Sequence, residues 1–253
     1  MKKINIVIPM AGAGKRFKDA GYRDPKPFID VFSKPMIQWV IENLNSMNRQ
    51  INFIFVCNKE HLDQYNFEKL LYVLSTEYSF EYKILSIDYL TEGALCTCLQ
   101  ARNIIDSEDE LLIANSDQYL DMTFYDFIKI IDNYKNDGAI ISFISNNPKW
   151  SFVKVNDEGY VTQVKEKEVI SDIATCGIYY FKKGSEFIKA ADDIIHKNIR
   201  VNNEFYVAPV YNELIHGMNK KILNYMIPVQ VMWGLGIPED LKKFIIYWED
   251  KRD

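Results

Sequence analysis

Ile4-Asn5-Ile6-Val7-Ile8-Pro9 runs straight into Met10-Ala11-Gly12-Ala13-Gly14-Lys15-Arg16, and Pro25-Lys26-Pro27 follows in the same segment. A short β-branched strand that delivers its last residues into Gly12 and Gly14 leaves backbone N–H groups unshielded by side chains and free to point at an anion. Lys15, Arg16 and Lys26 bring positive charge to the same place. The stretch therefore predicts a parallel strand ending in a cradle for the phosphates of a nucleotide. Two common phosphate loops are excluded by counting. A Walker A loop needs a glycine where Pro9 stands and a Ser or Thr where Arg16 stands. The dinucleotide fingerprint needs a third small residue where Phe17 sits. The plainer alternative is a glycine turn after an edge strand.

Working outward, apolar runs rich in Ile, Val and Phe recur at Ile4 to Pro9, Ile51 to Val56, Tyr82 to Ile87, Leu111 to Ala114 and Ala139 to Ile144. Helical stripes separate them. Met36, Ile37, Val40, Ile41 and Leu44 form one, with Pro35 at its start; Leu62, Tyr65 and Leu70 form a second; Leu95 to Ile105 and Phe124 to Tyr134 complete the series. Such alternation implies an α/β fold, a mostly parallel mixed sheet sandwiched by helices, which takes its ligands beyond the carboxyl ends of the strands. After about Asn146 the pattern changes to a hairpin. Phe152 to Val155 and Tyr160 to Val164 flank the turn Asn156-Asp157-Glu158-Gly159, and a strand at Ile173 to Phe181 follows. Helices are predicted at Ser185 to Ala191, at Ala208 to Ile215 and from Pro238 onward, the last with Leu241, Phe244, Ile245 and Trp248 on one face. One domain over residues 1–253 is expected, with a nucleotide-binding part to about 145, an acceptor part over about 146–237 and a terminal helix over about 238–253.

Composition narrows the function. A net charge of −5 argues against nucleic acid as a partner, because that binding depends on clustered Lys and Arg. No apolar run approaches the roughly 20 residues that span a bilayer, and Ile4 to Met10 is too short for a signal peptide, so a cytoplasmic protein without a membrane partner is expected. Cys57, Cys96, Cys98 and Cys176 form no Cys-x-x-Cys pair and read as structural thiols, with Cys96 and Cys98 sharing a side only on a strand. His61, His196 and His216 stand apart from any carboxylate motif and read as helix-surface residues.

Asn115-Ser116-Asp117-Gln118 follows a strand end, where Asp117 is placed to hold Mg²⁺, an ion content with one or two protein carboxylates when phosphate and water supply its other ligands. An Asp capping the helix near Thr123 is the alternative, and Asp121 fits that cap better by position. In Val164-Lys165-Glu166-Lys167, alternation sends Lys165 and Lys167 to one face and Glu166 to the other, so a lysine can grip an acceptor phosphate; a solvated charged strand end is the competing reading. Asn203-Glu204-Phe205-Tyr206 mixes polar and aromatic groups ahead of a helix, either to contact an acceptor or to close a core. A phosphate nucleophile needs no histidine base, since its second pKa is about 6.

Strand-GAGKRF, PKPF, SDQYLD, VKEKE with ATCGIYYF, and WGLGIPEDLKKF together resemble the ordered motifs of the sugar-phosphate nucleotidylyltransferases, over nearly the whole chain. The resemblance implies a nucleotidyltransferase fold of the glycosyltransferase A-like, Rossmann-like kind. It implies transfer of a nucleotide from a nucleoside triphosphate to a small phosphorylated acceptor, with Mg²⁺ as cofactor. Met10, Ala11, Gly12, Ala13, Gly14 and Lys15 match its triphosphate loop, with Ser116 beside the metal aspartate; Arg16, Lys26 and Lys167 match its catalytic cations. Thr91, Glu92, Gly93 and Ala94 match its base-reading segment and Asp117 its metal ligand, while Lys165, Glu166, Cys176 and Gly177 fall in the motifs of the acceptor side, to which the polar–aromatic segment adds Glu204 and Tyr206 as expected acceptor contacts. Two positions depart from the pattern: Glu168 replaces a proline, and Gly234 stands where a second metal aspartate follows the tryptophan. Within the family the chain most resembles capsule-pathway cytidylyltransferases acting on phosphoglutamine, which implies CTP as donor. A sugar 1-phosphate acceptor, a glycosyltransferase using a nucleotide sugar, and a non-catalytic nucleotide sensor are the alternatives, and a homodimer is left open.

Overall fold

The computed structural model describes residues 2–251. Lys3–Met10 is central in the sheet, paired in parallel with Gln50–Asn58 on one side and Glu110–Ala114 on the other; Glu81–Ile87 extends the parallel half. Ile173–Phe181 lies antiparallel to Glu110–Ala114 and branches. One branch is the hairpin Ser151–Val155 with Val161–Glu166; the other is Gly138–Ile144 followed by Ile222–Met226. Among the described residues nine strands form this one sheet, so strands from both halves of the chain share it.

Both faces are covered because successive side chains of a strand point to opposite sides. Ile4, Ile6 and Ile8 pack with Phe53, Phe55, Phe67 and Leu71 on one face. Val7 packs with Ile54, Val56, Ile113 and Phe187 on the other. A third cluster gathers Phe17, Met36, Trp39, Leu235, Leu241 and Phe244, and so fastens the helix behind the glycine loop to the final helix, Pro238–Asp250. Arg252 and Asp253, which the sequence reading included in that helix, lie outside the described residues.

The five apolar runs and Ile173–Phe181 form strands as expected, and Met36–Leu44 is a helix behind Pro35. Several elements differ. The second helical stripe is two helices, Lys59–Tyr65 and Phe67–Tyr78, divided at Asn66 with φ 48°, a left-handed conformation that asparagine tolerates. The third is broken into Ala94–Cys98, a tighter turn at Leu99–Ala101 and Arg102–Ile105. Cys96 and Cys98 are therefore helical and do not share a side. Burial pushes the thiols of Cys57, Cys98 and Cys176 up, that of Cys176 to about 12, so all three are neutral packing groups. His61 is half-buried with its ring edge-on to Phe28, in place of the expected surface position. The expected helix at Ala208 to Ile215 is a single turn, Val210–Asn212, running into a wider π-type turn over Glu213–Gly217. Asp121 does not cap the helix Phe124–Asn133; its carboxylate instead accepts hydrogen bonds from Tyr247 and Lys251 of the final helix, each at 3.0 Å.

Candidate active site

The strand Glu110–Ala114 delivers Asp117 to the carboxyl edge of the sheet, where its backbone is held on two sides. Asn115 N–H donates to the Gly177 carbonyl at 3.1 Å, and Leu235 N–H donates to the Asp117 carbonyl at 2.7 Å. Gly177 is left-handed at φ 80°, and a Cβ there would stand 2.2 Å from Asn115 Nδ2, so only glycine fits. A Cβ at Gly236 would likewise stand 2.5 Å from Asp117 Oδ2. These close approaches hold the aspartate by shape.

Lys26, in the turn between Pro25 and Pro27, reaches across to Asp117 with its Nζ 2.8 Å from Oδ2. Gln118 Nε2 donates to Oδ1 at 3.1 Å. Burial pushes the Asp117 carboxyl up, but the Lys26 ammonium, the Gln118 amide and the more distant Arg16 outweigh it and hold the group below the usual carboxylate range. The aspartate is thus ionised at neutral pH and faces cations.

Asp117 opens into a cleft of about 280 Å³ that Arg16 and Lys167 also line. Lys167 is the residue at which the hairpin strand ends. Its φ of 56° turns the chain out of the strand, and its N–H donates to the Trp150 carbonyl at 3.1 Å. The expected alternation fails for that reason. Lys165 points away and pairs at 3.6 Å with Glu168 on the surface, whereas Glu166 and Lys167 both face the cleft. Lys167 Nζ donates to the Tyr206 hydroxyl and lies 4.4 Å from the centre of its ring. Glu166 is buried; desolvation pushes its carboxyl up against the hydrogen bond from Ser151 and the charge of Lys167.

The segment around Phe205 bridges two sequence motifs. Phe205 N–H donates to the Glu92 carbonyl at 2.8 Å and Leu95 N–H donates to the Phe205 carbonyl at 3.1 Å. Gly93 has φ 125°, and a Cβ on it would stand 2.4 Å from the Phe205 carbonyl oxygen. Its glycine identity answers to this backbone contact. Arg200 pairs with Glu92 and stacks 3.8 Å from the Phe205 ring centre. Glu204, Tyr206 and Ala94 reach the cleft from this segment.

Other sequence-chosen residues lie outside the cleft lining. Met10 and Ala11 are buried beneath the glycine loop, Gly12 has nothing within 4 Å of its Cβ position, and Ala13 and Lys15 are exposed. Gly14, at φ 61°, starts the helix Lys15–Asp19 and packs against Lys26. Thr91 hydrogen-bonds within its own loop, to the Gly93 carbonyl at 3.1 Å and Thr97 at 2.6 Å. Ser116 is buried. Cys176 points into the core beneath Gly177. The cleft also contains residues the sequence reading did not choose: Gln118, Lys149, Trp150 and Asp240. Lys149 and Asp240 pair at 2.6 Å within its lining. Gln118 was adjacent to the metal motif, but Lys149 and Trp150 carry no signal until the loop before the hairpin is folded.

The sequence profile described as Nucleotidyl transferase matches residues 6–250. The chain belongs to this family. Among relatives of this nucleotidyl transferase, the bifunctional protein GlmU of Methanocaldococcus jannaschii is 26% identical over 184 residues, covering 71% of this chain and 40% of that protein. The chain thus spans about two-fifths of the GlmU length. A UTP–glucose-1-phosphate uridylyltransferase of Synechocystis sp. is 22% identical over 262 residues, 89% of this chain and 66% of that one. In structure, the chain is similar to a nucleoside-diphosphate-sugar pyrophosphorylase from Vibrio cholerae RC9, with a TM-score of 0.81 at 24% identity over 95% of this chain and 99% of that one. The inositol-1-phosphate CTP transferase from T. maritima gives 0.72 at 14% identity, over 97% and 94%. These likenesses give the Rossmann-like nucleotidyltransferase fold.

No group of three or more His, Cys, Asp or Glu side chains able to hold a metal occurs among the described residues. Asp117 offers one carboxylate, and Gln118 Oε1 beside it is buried without a partner. One carboxylate and an unpaired amide oxygen are a donor set that fits Mg²⁺, an ion that draws the rest of its shell from phosphate and water. No helix among the described residues is long and apolar enough to cross a membrane.

Proposed function

We propose that this nucleotidyl transferase moves a nucleoside monophosphate from an NTP to the phosphate of a small metabolite and releases pyrophosphate. The observation that carries the reading is the 2.8 Å contact of Lys26 with Asp117, which ties the segment behind the glycine loop to the aspartate of the cleft that Arg16 and Lys167 also line. An acceptor phosphate oxygen, already ionised near neutral pH, forms a bond to the α-phosphorus. The bond from that phosphorus to its β-bridging oxygen breaks, and pyrophosphate leaves with the electron pair. Arg16 and Lys26 bear on the charge that develops there, and Lys167, steadied by Tyr206, orients the acceptor phosphate. Asp117, with Gln118 beside it, would hold Mg²⁺, which supplies neutralisation of triphosphate charge. Glu204 and Tyr206 contact the body of the acceptor.

CTP is the first donor to test and phosphoglutamine the first acceptor, giving CDP-L-glutamine, as the resemblance to capsule-pathway cytidylyltransferases implies. The second reading is a sugar 1-phosphate acceptor, favoured by the matched uridylyltransferase and sugar pyrophosphorylase. A pyrophosphate-release assay of four NTPs against phosphoglutamine, choline phosphate and a set of sugar 1-phosphates decides between them. Release that needs both an NTP and one of these acceptors is the expected result; binding of NTP with no release over the panel would speak for a sensor.

A further inference from the structure

Gln118 opens the short strand Gln118–Leu120, which pairs antiparallel with Met232–Gly234 so that Gln118 stands directly opposite Gly234. Side chains of a directly opposed pair project to the same side of a ribbon. The Gln118 amide therefore extends into the space that a side chain at 234 would enter, and its Oε1 lies 3.9 Å from where a Cβ on Gly234 would be. Trp150 narrows that space for a side chain at 234. The edge of the Trp150 ring stands 3.0 Å from the same point, so an acidic side chain at 234 would have to push the ring aside.

The orientation of the amide is fixed by its neighbour. A carboxylate only accepts, and Gln118 Nε2 is the atom that donates to Asp117 Oδ1 at 3.1 Å. Oε1 is then the atom turned away, and it is buried with no hydrogen-bond partner. Buried acceptors are normally satisfied. Gln118 Oε1, beside an ionised aspartate and in a residue that lines the cleft, is an acceptor whose lone pairs suit a cation or an N–H or O–H.

We propose that Gln118 Oε1 is the second protein oxygen on the divalent ion, a neutral ligand in the place left by the carboxylate that Gly234 lacks. This rests on the proposed nucleotidyl transfer, since the ion arrives on the triphosphate. A neutral amide attracts Mg²⁺ less than a second carboxylate does, so the protein alone holds the ion weakly and the NTP brings it. Lys26 already occupies Asp117 Oδ2, which further lowers the pull of these residues on a cation.

The test is calorimetric titration of the protein with each NTP, once with Mg²⁺ and once with EDTA, which gives the factor by which the metal tightens nucleotide binding. For Gln118→Met, which keeps length and removes the oxygen, that factor is expected to fall about tenfold or more while affinity in EDTA is unchanged. Gln118→Glu, which restores an oxygen, keeps the factor. A wild-type factor in Gln118→Met overturns the proposal. So does an equal loss in Gln118→Glu, which would assign the effect to the N–H on Asp117. Wild-type protein that binds NTP with no metal effect also overturns it, whereas no binding of any NTP overturns the proposed function itself. Thermal melting of each variant checks that it is folded.

Discussion

Replacing Lys26 by Ala removes the ammonium 2.8 Å from Asp117 Oδ2 and leaves the rest of the carboxylate's surroundings in place. The Asp117 side chain is 13% exposed and that of Lys26 26%, so water replaces the lost partner poorly. Stranding a buried charge costs about 3–5 kcal/mol when it is sealed; with a quarter of the lysine in solvent and Gln118 still donating, about 2 kcal/mol is expected. At roughly 2–4 °C per kcal/mol for a domain of this size, melting should fall by about 4–8 °C. A domain stable by about 5–15 kcal/mol remains folded after that loss. Turnover should nevertheless drop about 10²- to 10³-fold, the effect of losing one preorganised charge at a reacting phosphate. The two readouts are thus separable. The pH dependence follows from the depressed carboxyl. In the wild type its stabilisation is fully present above the unfolded value of about 3.9 and is lost as pH falls through the lower folded value. Without Lys26, burial dominates, so the variant's deficit should be largest at neutral pH and shrink on acidification. Pyrophosphate release under saturating NTP is the assay. A turnover within a few-fold of wild type in folded Lys26→Ala would refute the role.

Three further outcomes are expected. Glu166 has its carboxyl raised by burial, so its charged form opposes folding above that raised value and the penalty fades as pH falls toward the unfolded one; Glu166→Gln should melt higher than wild type at pH 8 and equally at pH 4, and the reverse order would sink this reading. Gly93→Ala places a methyl 2.4 Å from the Phe205 carbonyl in a conformation with φ 125°, which should cost about 1–3 kcal/mol and lower the melting midpoint accordingly; an unchanged midpoint would mean the two backbones are not packed as described. Tyr206→Phe removes the hydroxyl that receives Lys167 and should raise the acceptor KM roughly tenfold with the NTP KM unaltered, and equal effects on both substrates would argue against an acceptor role.

The parallel half of the fold was legible because its runs are short, β-branched and spaced by helical stripes, a pattern that strand burial on both faces imposes. The placement of Asp117 at a strand end was legible for a related reason, and the structure adds its contact with the proline-framed Lys26. Lys165 was misdirected by strict alternation, which ends where Lys167 adopts a left-handed φ that no composition announces. Asn66 divided a single apolar stripe by the same device. Gly93 was read only as part of a base-reading segment; its backbone partner in the structure, Phe205, is 112 positions away in sequence number and is found only in three dimensions. Lys149, Trp150 and the ribbon of Met232–Gly234 with Gln118–Leu120 depend on chain crossings of that kind and left no periodic trace.

The hydrogen bonds of Phe205 with Glu92 and Leu95 have a kinetic meaning. One short segment is bound to the stretch that the resemblance assigns to the base and also carries Glu204 and Tyr206 into the cleft. Occupancy of either half therefore bears on the geometry of the other through main chain alone. Under the proposed function this shared main chain predicts direct transfer between two substrates present together, read as intersecting double-reciprocal lines; parallel lines would count against the coupling.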